Sequence, residues 1–319
     1  MNAVESAARP SRDIREIANV DPHALPDTLL DSPEPVVVRG LTAHWPMTRA
    51  ARESAARASS YLLGLYRGMK VTVLSAPPDA HGRFFYDADM TGFNFRRAKS
   101  TLDAVLVDLK RASTDPGPPA IYVGSTTVDE CLPGFRAANV LGFGARDPHV
   151  SIWLGNRTRI AAHHDLPSNI ACVVAGRRRF TLFPPEQLAN LYVGPLEFTP
   201  AGQPISLVDF ANPDYARFPN FARALEHARV AELAAGDAIL IPSLWWHHIE
   251  GLDDLNVLVN YWWRRTPDHH GPPFAALLHA LMALRDLPRE ERAAWHEMFR
   301  HYVFEADEAT AAHIPVARR

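Results

Sequence analysis

Between residues 150 and 263 the apolar residues fall into short runs divided by turn residues. These are Val150 to Leu154, Ile160 to Asp165, Ile170 to Val174, Arg179 to Phe183, Ala228 to Glu232, Ala238 to Ile241 and Leu255 to Trp263. Short strands at such close spacing predict an all-β sandwich or barrel, not alternating strand and helix units around a parallel sheet. Pro184-Pro185 ends the run at Phe183, because proline has no N–H for a ladder. Gly236-Asp237 is a turn feeding Ala238 to Ile241, and that strand leads toward Trp245-Trp246-His247-His248-Ile249-Glu250. A jelly-roll barrel is the economical fold, since its interior holds a small ligand while closure limits exposed edges.

The flanks have other periods. Residues 12 to 30 predict a short helix and a turn at Asp21-Pro22, followed by a strand at Val36-Val37-Val38, where β-branched side chains gather. Ala50 to Leu65 is alanine-rich and predicts a helix, Lys70 to Leu74 a strand, and residues 98 to 112 an amphipathic helix. Pro116-Gly117-Pro118-Pro119 bars its continuation before a strand at Ile121-Tyr122-Val123. Beyond 263, Leu277, Leu278, Leu281, Met282 and Leu284 fit one helix face, and Trp295, Met298, Phe299, Tyr302 and Val303 another, with a break at Leu287-Pro288. The expected organisation is a β domain over 12–270 with N-terminal elaboration, then a helical segment over 271–319. The apolar faces of that segment either cover the barrel or pair with a second copy in a homodimer. Met1 to Ser11 is polar and expected to fray.

Composition narrows the class. The 319 residues, 47% hydrophobic and 22% charged, are ordinary for a globular protein. A formal charge of -3 gives no global positive field, so neither nucleic acid nor an anionic membrane is an expected partner. Cys131 and Cys172 are too few for a disulfide scaffold, and Cys172 sits in an apolar run that suits a buried free thiol. The start lacks the pattern of a secretory signal and no apolar segment reaches membrane length, so the cytoplasm is the expected compartment.

The chemistry lies in His163, Asp165 and His247. On a strand, positions i and i+2 share a face, so His163 and Asp165 can address one metal while His164 points away. His247, brought alongside by a closed sheet, would complete the two-histidine, one-carboxylate triad that leaves half of an octahedral iron open. Imidazole and carboxylate also suit manganese and zinc, and His164 and His248 are adjacent competitors.

Longer segments carry a resemblance. They are Ala162-His163-His164-Asp165 with Asn169, Gly176-Arg177-Arg178-Arg179, Leu182-Phe183-Pro184-Pro185, Val208 to Tyr215, Arg217 to Phe221, Gly236-Asp237, Ile241-Pro242, Trp245 to Glu250 and Val259-Asn260-Tyr261-Trp262. In order and spacing the chain resembles the JmjC-type, cupin-like non-haem oxygenases that use Fe(II) and 2-oxoglutarate. Within them it is most similar to the asparaginyl hydroxylases of the factor-inhibiting-HIF type. The resemblance implies a mainly β fold, a double-stranded β-helix or jelly-roll, with N-terminal and C-terminal helical decoration, and relatives that often dimerise through C-terminal helices.

It also implies roles. His163, Asp165 and His247 match the iron ligands. Arg178 matches a lysine that holds the distal carboxylate of 2-oxoglutarate, and its fork suits a carboxylate. Strand alternation sets Arg178 opposite to Arg177 and Arg179, which read as surface charge. Tyr122 matches a second partner of that carboxylate, and Asn169 and Asn260 match polar residues near iron and cosubstrate. Ile160 departs from the pattern, standing where a threonine would add a hydroxyl. Trp246 and Trp262 are expected either to line a substrate pocket or to pack as core aromatics. Asp209 to Phe221 is expected to support the barrel. The implied reaction is hydroxylation of a protein or peptide side chain, with molecular oxygen and 2-oxoglutarate as cosubstrates. A small-molecule hydroxylase and a non-catalytic metal-binding protein are the alternatives.

Overall fold

A computed structural model describes residues 13–266 and 271–318, and the chain divides into two units, Met1–Arg264 and Arg265–Arg319. The polar start Met1 to Ser11 lies outside the described residues, as do residue 12 and residues 267–270 at the expected domain limits.

In the first unit the chain runs through β1 (Arg15–Ala18), α1 (Asp27–Leu30), β2 (Val36–Arg39), α2 (Pro46–Glu53), α3 (Ala55–Leu65), β3 (Val71–Ala76), β4 (Arg83–Phe84), β5 (Arg96–Ser100), α4 (Leu102–Ala112) and β6 (Ala120–Thr127). Two short helices come next, α5 (Val128–Cys131) and α6 (Phe135–Ala138). Then come β7 (His149–Gly155), β8 (Arg159–His163), β9 (Ser168–Ala175), β10 (Arg177–Phe183), α7 (Phe221–Leu225), β11 (Arg229–Ala234), β12 (Ala238–Ile241), β13 (Trp246–Gly251) and β14 (Asn256–Trp263).

The strands form two sheets of a jelly-roll sandwich. The larger has the order β1-β2-β12-β9-β14-β7-β6-β3-β5 and the smaller β11-β10-β13-β8-β4. Ala171, Val173, Ile239 and Leu258 of the larger meet Phe180, Leu182 and Leu233 of the smaller in a dry layer. β9 is buried at every position, as a central strand covered on both faces must be. The outer face of the large sheet is covered by α2, α3 and α4, whose Met47, Leu62, Leu102 and Leu106 join Ile152, Ile170 and Tyr261 in the largest apolar cluster. Burying a leucine or isoleucine there stabilises the fold by about 1.5–3 kcal/mol each.

Four expectations need correction. The stretch 12–30 holds only a short helix, because Arg15–Ala18 is a strand parallel to Val36–Arg39. The helix expected over 50–65 is two helices. Ser54 between them is extended (φ -172, ψ 160) and its side chain accepts from Arg57 N, so a cap overrides alanine propensity. The amphipathic helix starts at Leu102, and the residues before it are β5. Finally, the strand at Ile160 to Asp165 stops at His163, and the His247 run is itself a strand, separated from β12 by a turn.

β8 carries a bulge. His247 faces His163 and Ile249 faces Ile160, so two steps on β13 oppose three on β8. The carbonyl of Ala162 in the bulge accepts from Ser206 N at 2.7 Å.

The second unit contains α8 (Pro273–Leu284), which begins with proline at its first turn, and α9 (Arg289–Phe299), succeeded by one π-helical turn at Arg300–Phe304. The break at Leu287-Pro288 falls between the helices. None of the described residues of this unit is buried, and Met282 and Phe304 are 88% and 77% exposed.

Candidate metal centre and its cavity

His163 is the last residue of β8, and His247 stands opposite it on β13 with ring centroids 4.3 Å apart. Asp165 lies two residues past the strand end. The ligand atoms of His163, Asp165 and His247 all fall within 4.8 Å of one another. Each histidine Nδ1 lies against a backbone carbonyl, that of Ala161 at 2.9 Å and that of Trp245 at 3.0 Å. A carbonyl only accepts, so each Nδ1 carries the proton and each Nε2 keeps its lone pair, the tautomer a metal requires. Burial, assisted by neighbouring His163, pulls His247 down to about 4, so it is a neutral imidazole at ordinary pH.

Asp165 is held through its side chain and through its backbone. Trp262 Nε1 donates to Asp165 Oδ2 at 3.1 Å. Leu244 N donates to Asp165 O at 2.9 Å, and Ser243 Oγ to Leu166 O at 2.5 Å. The competing histidines are turned away: His164 stands edge-on to Trp246 at 4.7 Å, and His248 packs on Phe210 at 4.6 Å.

The triad lines one end of a cavity of about 360 Å³ between the sheets. Tyr122, Asn169, Asn260 and Trp262 line it as well, and Ile160 gives an apolar wall. Asn260 Oδ1 accepts from Trp153 Nε1 at 2.7 Å while its Nδ2 donates to Asn169 Oδ1 at 3.3 Å, so the two amides are mutually fixed.

Arg178 is 2% exposed and its guanidinium lies against the Tyr122 phenol. Its Nε is buried without a partner, and no acid pairs with it among the described residues. Burial pushes the Arg178 pKa down, and pushes the Tyr122 hydroxyl up to about 12 against the pull of Arg178. An uncompensated buried cation is costly, so this corner of the protein suits an incoming carboxylate. Arg177 and Arg179 face outward, paired with Asp253 and Glu232. The residues present therefore fit both groups that the resemblance implies: a neutral two-imidazole, one-carboxylate set for iron, and a buried guanidinium with a phenol donor for 2-oxoglutarate.

Trp246 does not line the cavity. It precedes His247, so alternation turns it to the opposite face, where it packs with Phe183 and Phe221. Phe210 and Phe218 of the Asp209 to Phe221 segment pack there too, which makes the segment a support. Sequence reasoning missed a strap along the cavity, which contributes Pro200, Ala201, Gln203 and Ile205 to its lining. It is tied down by Tyr86 Oη donating to Phe198 O at 2.6 Å and Arg97 Nη2 to Pro200 O at 2.7 Å. An irregular segment has no period, and its Leu196, Phe198 and Ile205 stand too far apart among turn residues to form one.

Residues 22–269 match the cupin-like domain family. Lysine-specific demethylase JMJ31 of Arabidopsis thaliana is 33% identical over 126 residues, covering 38% of this chain and 22% of that protein. HSPB1-associated protein 1 of Homo sapiens is 34% identical over 131 residues, covering 40% of this chain and 26% of that protein. tRNA wybutosine-synthesizing protein 5 of Homo sapiens is 30% identical over 165 residues, 47% of each chain. The aligned parts thus span less than half the length of these relatives. No described helix is long and apolar enough to cross a membrane.

Proposed function

The chain belongs to the cupin-like domain family, and from that footing we propose that it is an Fe(II)- and 2-oxoglutarate-dependent oxygenase that hydroxylates a protein or peptide side chain. The observation that carries this reading is Arg178, a buried guanidinium without an acid, placed against the cavity-lining Tyr122. A purely structural metal site has no use for an uncompensated cation there.

His163, Asp165 and His247 would hold the iron, and Arg178 with Tyr122 the distal carboxylate of 2-oxoglutarate. When bound, these groups supply the oxidative chemistry, in which 2-oxoglutarate and dioxygen yield succinate and carbon dioxide while one oxygen atom enters a C–H bond. The chain itself performs three tasks. Trp262 keeps one oxygen of Asp165 engaged, which orients the other. The locked Asn169 and Asn260 present fixed dipoles that need no reorganisation. The strap and Ile160 keep water from the apolar side.

Gln203 brings a primary amide to the cavity and makes no hydrogen bond to the described residues. An amide is matched donor for acceptor by another amide, which supports a peptide or carboxamide group as the substrate's reacting end. Exposed Leu277, Met282, Trp295 and Phe304 in the second unit support a homodimer through the C-terminal helices.

The test is anaerobic reconstitution with Fe(II), measurement of 2-oxoglutarate binding, then admission of oxygen with succinate monitored in wild type and His163→Ala. Candidate peptides and cell metabolites are searched for a product heavier by one oxygen atom. A peptide product supports the reading, a metabolite product replaces it with small-molecule hydroxylation, and absence of 2-oxoglutarate binding leaves a metal-binding protein.

A further inference from the structure

β5 is the last strand of the large sheet and pairs with β3 alone among the described strands, so one edge of its backbone is free. Its sequence, Arg96-Arg97-Ala98-Lys99-Ser100, contains no acid, and Arg96 to Lys99 are exposed. Register places its charges relative to the cavity. Arg97 faces Leu74, Leu74 faces Tyr122, and directly opposed residues share a face. Leu74 and Tyr122 line the cavity, so Arg97 continues that row to the rim, where its Nη2 reaches Pro200 O of the strap. Lys99 stands two residues on, on the same face, with its Nζ donating to Thr72 Oγ1 at 2.9 Å. None of the three cations is ion-paired among the described residues.

We propose that the free edge of β5 docks an acidic, extended polypeptide segment, which adds to the large sheet as a further strand and delivers an adjoining residue over the strap into the cavity. Such a segment is the substrate class of the oxygenase reading, and its delivery to the iron after docking rests on that reading. An exposed edge offers backbone donors and acceptors that only another extended chain satisfies in register. Cations along the edge repel basic and admit acidic partners, which makes pairing selective. RNA would find charge here but no aromatic on β5 for its bases to stack on.

The test uses the full chain at low salt with fluorescent peptides of alternating threonine and glutamate, the same with lysine, the same with glutamine, and a single-stranded RNA of matched length. The glutamate peptide is expected to bind about tenfold more tightly than the glutamine peptide, with the lysine peptide weakest. Arg96→Glu with Lys99→Glu, which leaves the Arg97 tie to the strap intact, reverses that order, and the amides of Arg96–Ser100 exchange more slowly when the glutamate peptide is bound. Equal binding of the glutamate and glutamine peptides, tighter binding of the RNA, or unchanged exchange over Arg96–Ser100 overturns the inference. Iron-dependent 2-oxoglutarate binding by the double variant is expected to match wild type. Its absence from wild type would count against the oxygenase reading and leave the peptide result standing.

Discussion

Leu244 donates its backbone N–H to the carbonyl of Asp165, so the turn that leads into His247 also holds the loop that presents the carboxylate. Leu244 does this at φ 66, in the left-handed region where a leucine is strained. Leu244→Gly keeps the donor and relieves the strain, and is expected to raise stability by up to about 1 kcal/mol. Ser243→Ala removes the neighbouring tie to Leu166 and is expected to cost about 1 kcal/mol. Urea denaturation of the metal-free protein measures both. Destabilisation by the glycine variant would show that the leucine side chain, not the strained backbone, matters here.

Replacing Arg178 with methionine should separate stability from binding. The substitution removes a buried charge that no described acid compensates, so the apo protein is expected to gain about 1–2 kcal/mol. Under the oxygenase proposal 2-oxoglutarate raises the melting temperature of wild type, and the same variant is expected to lose that rise. Retention of that thermal shift would exclude Arg178 as the carboxylate partner.

Ile160 gives the cavity a wall without a hydroxyl. Ile160→Thr adds one hydroxyl to that wall, and a new hydrogen bond to a charged cosubstrate contributes about 1.5–3 kcal/mol. Tenfold or tighter binding of 2-oxoglutarate by calorimetry is the expected result. Unchanged affinity would mean that the cosubstrate lies away from β8.

Trp262→Phe keeps an aromatic ring beside the cavity and deletes the donor to Asp165 Oδ2. Loss of such a partner typically weakens metal binding by about 10–100-fold. Anaerobic Fe(II) titration reads the change, which should appear without loss of folded protein.

Alkaline pH should act through the buried thiols. Burial raises Cys131 from 9.0 to about 11, and moves Cys172 in the same direction. Above about pH 9 the unfolded chain has lost a proton that the native chain retains, so stability falls as pH rises from about 9 to 11 and is fully present below that window. Cys131 alone contributes about 2–3 kcal/mol to the fall. Cys131→Ala should flatten the slope of denaturation midpoint against pH, and an unaltered slope would exclude it as the source.

How far these features could be read in the sequence varies with their physical origin. The central strands were legible because β9 and β14 are buried on both faces and are mostly apolar, interrupted only by Ser168, Asn169, Asn256 and Asn260. β1 was not, since Arg15-Glu16-Ile17-Ala18 has no strand composition and exists through pairing with β2. The triad was legible as residue types, but the end of β8 before Asp165 was not. Parity alone could have separated the tryptophans: Trp262 shares the face of Asn260, whereas Trp246 is out of step with His247. Gln203 and the strap belong to irregular chain, where no period exists to be read.

The bulge in β8 makes the charge of the cavity depend on a count of residues. With regular pairing from His163, positions 161 and 159 would face inward; the extra residue turns Ile160 in and leaves Arg159 outside, bound to Asp209. Deleting Ala161 or Ala162 would remove the bulge but keep Ile160 two positions from His163, so Ile160 would stay in the wall and Arg159 outside. At the present length of β8 the extra residue in the bulge is therefore what keeps a cation out of the wall beside the metal ligands, and the length of one strand sets which ligand charge the cavity admits.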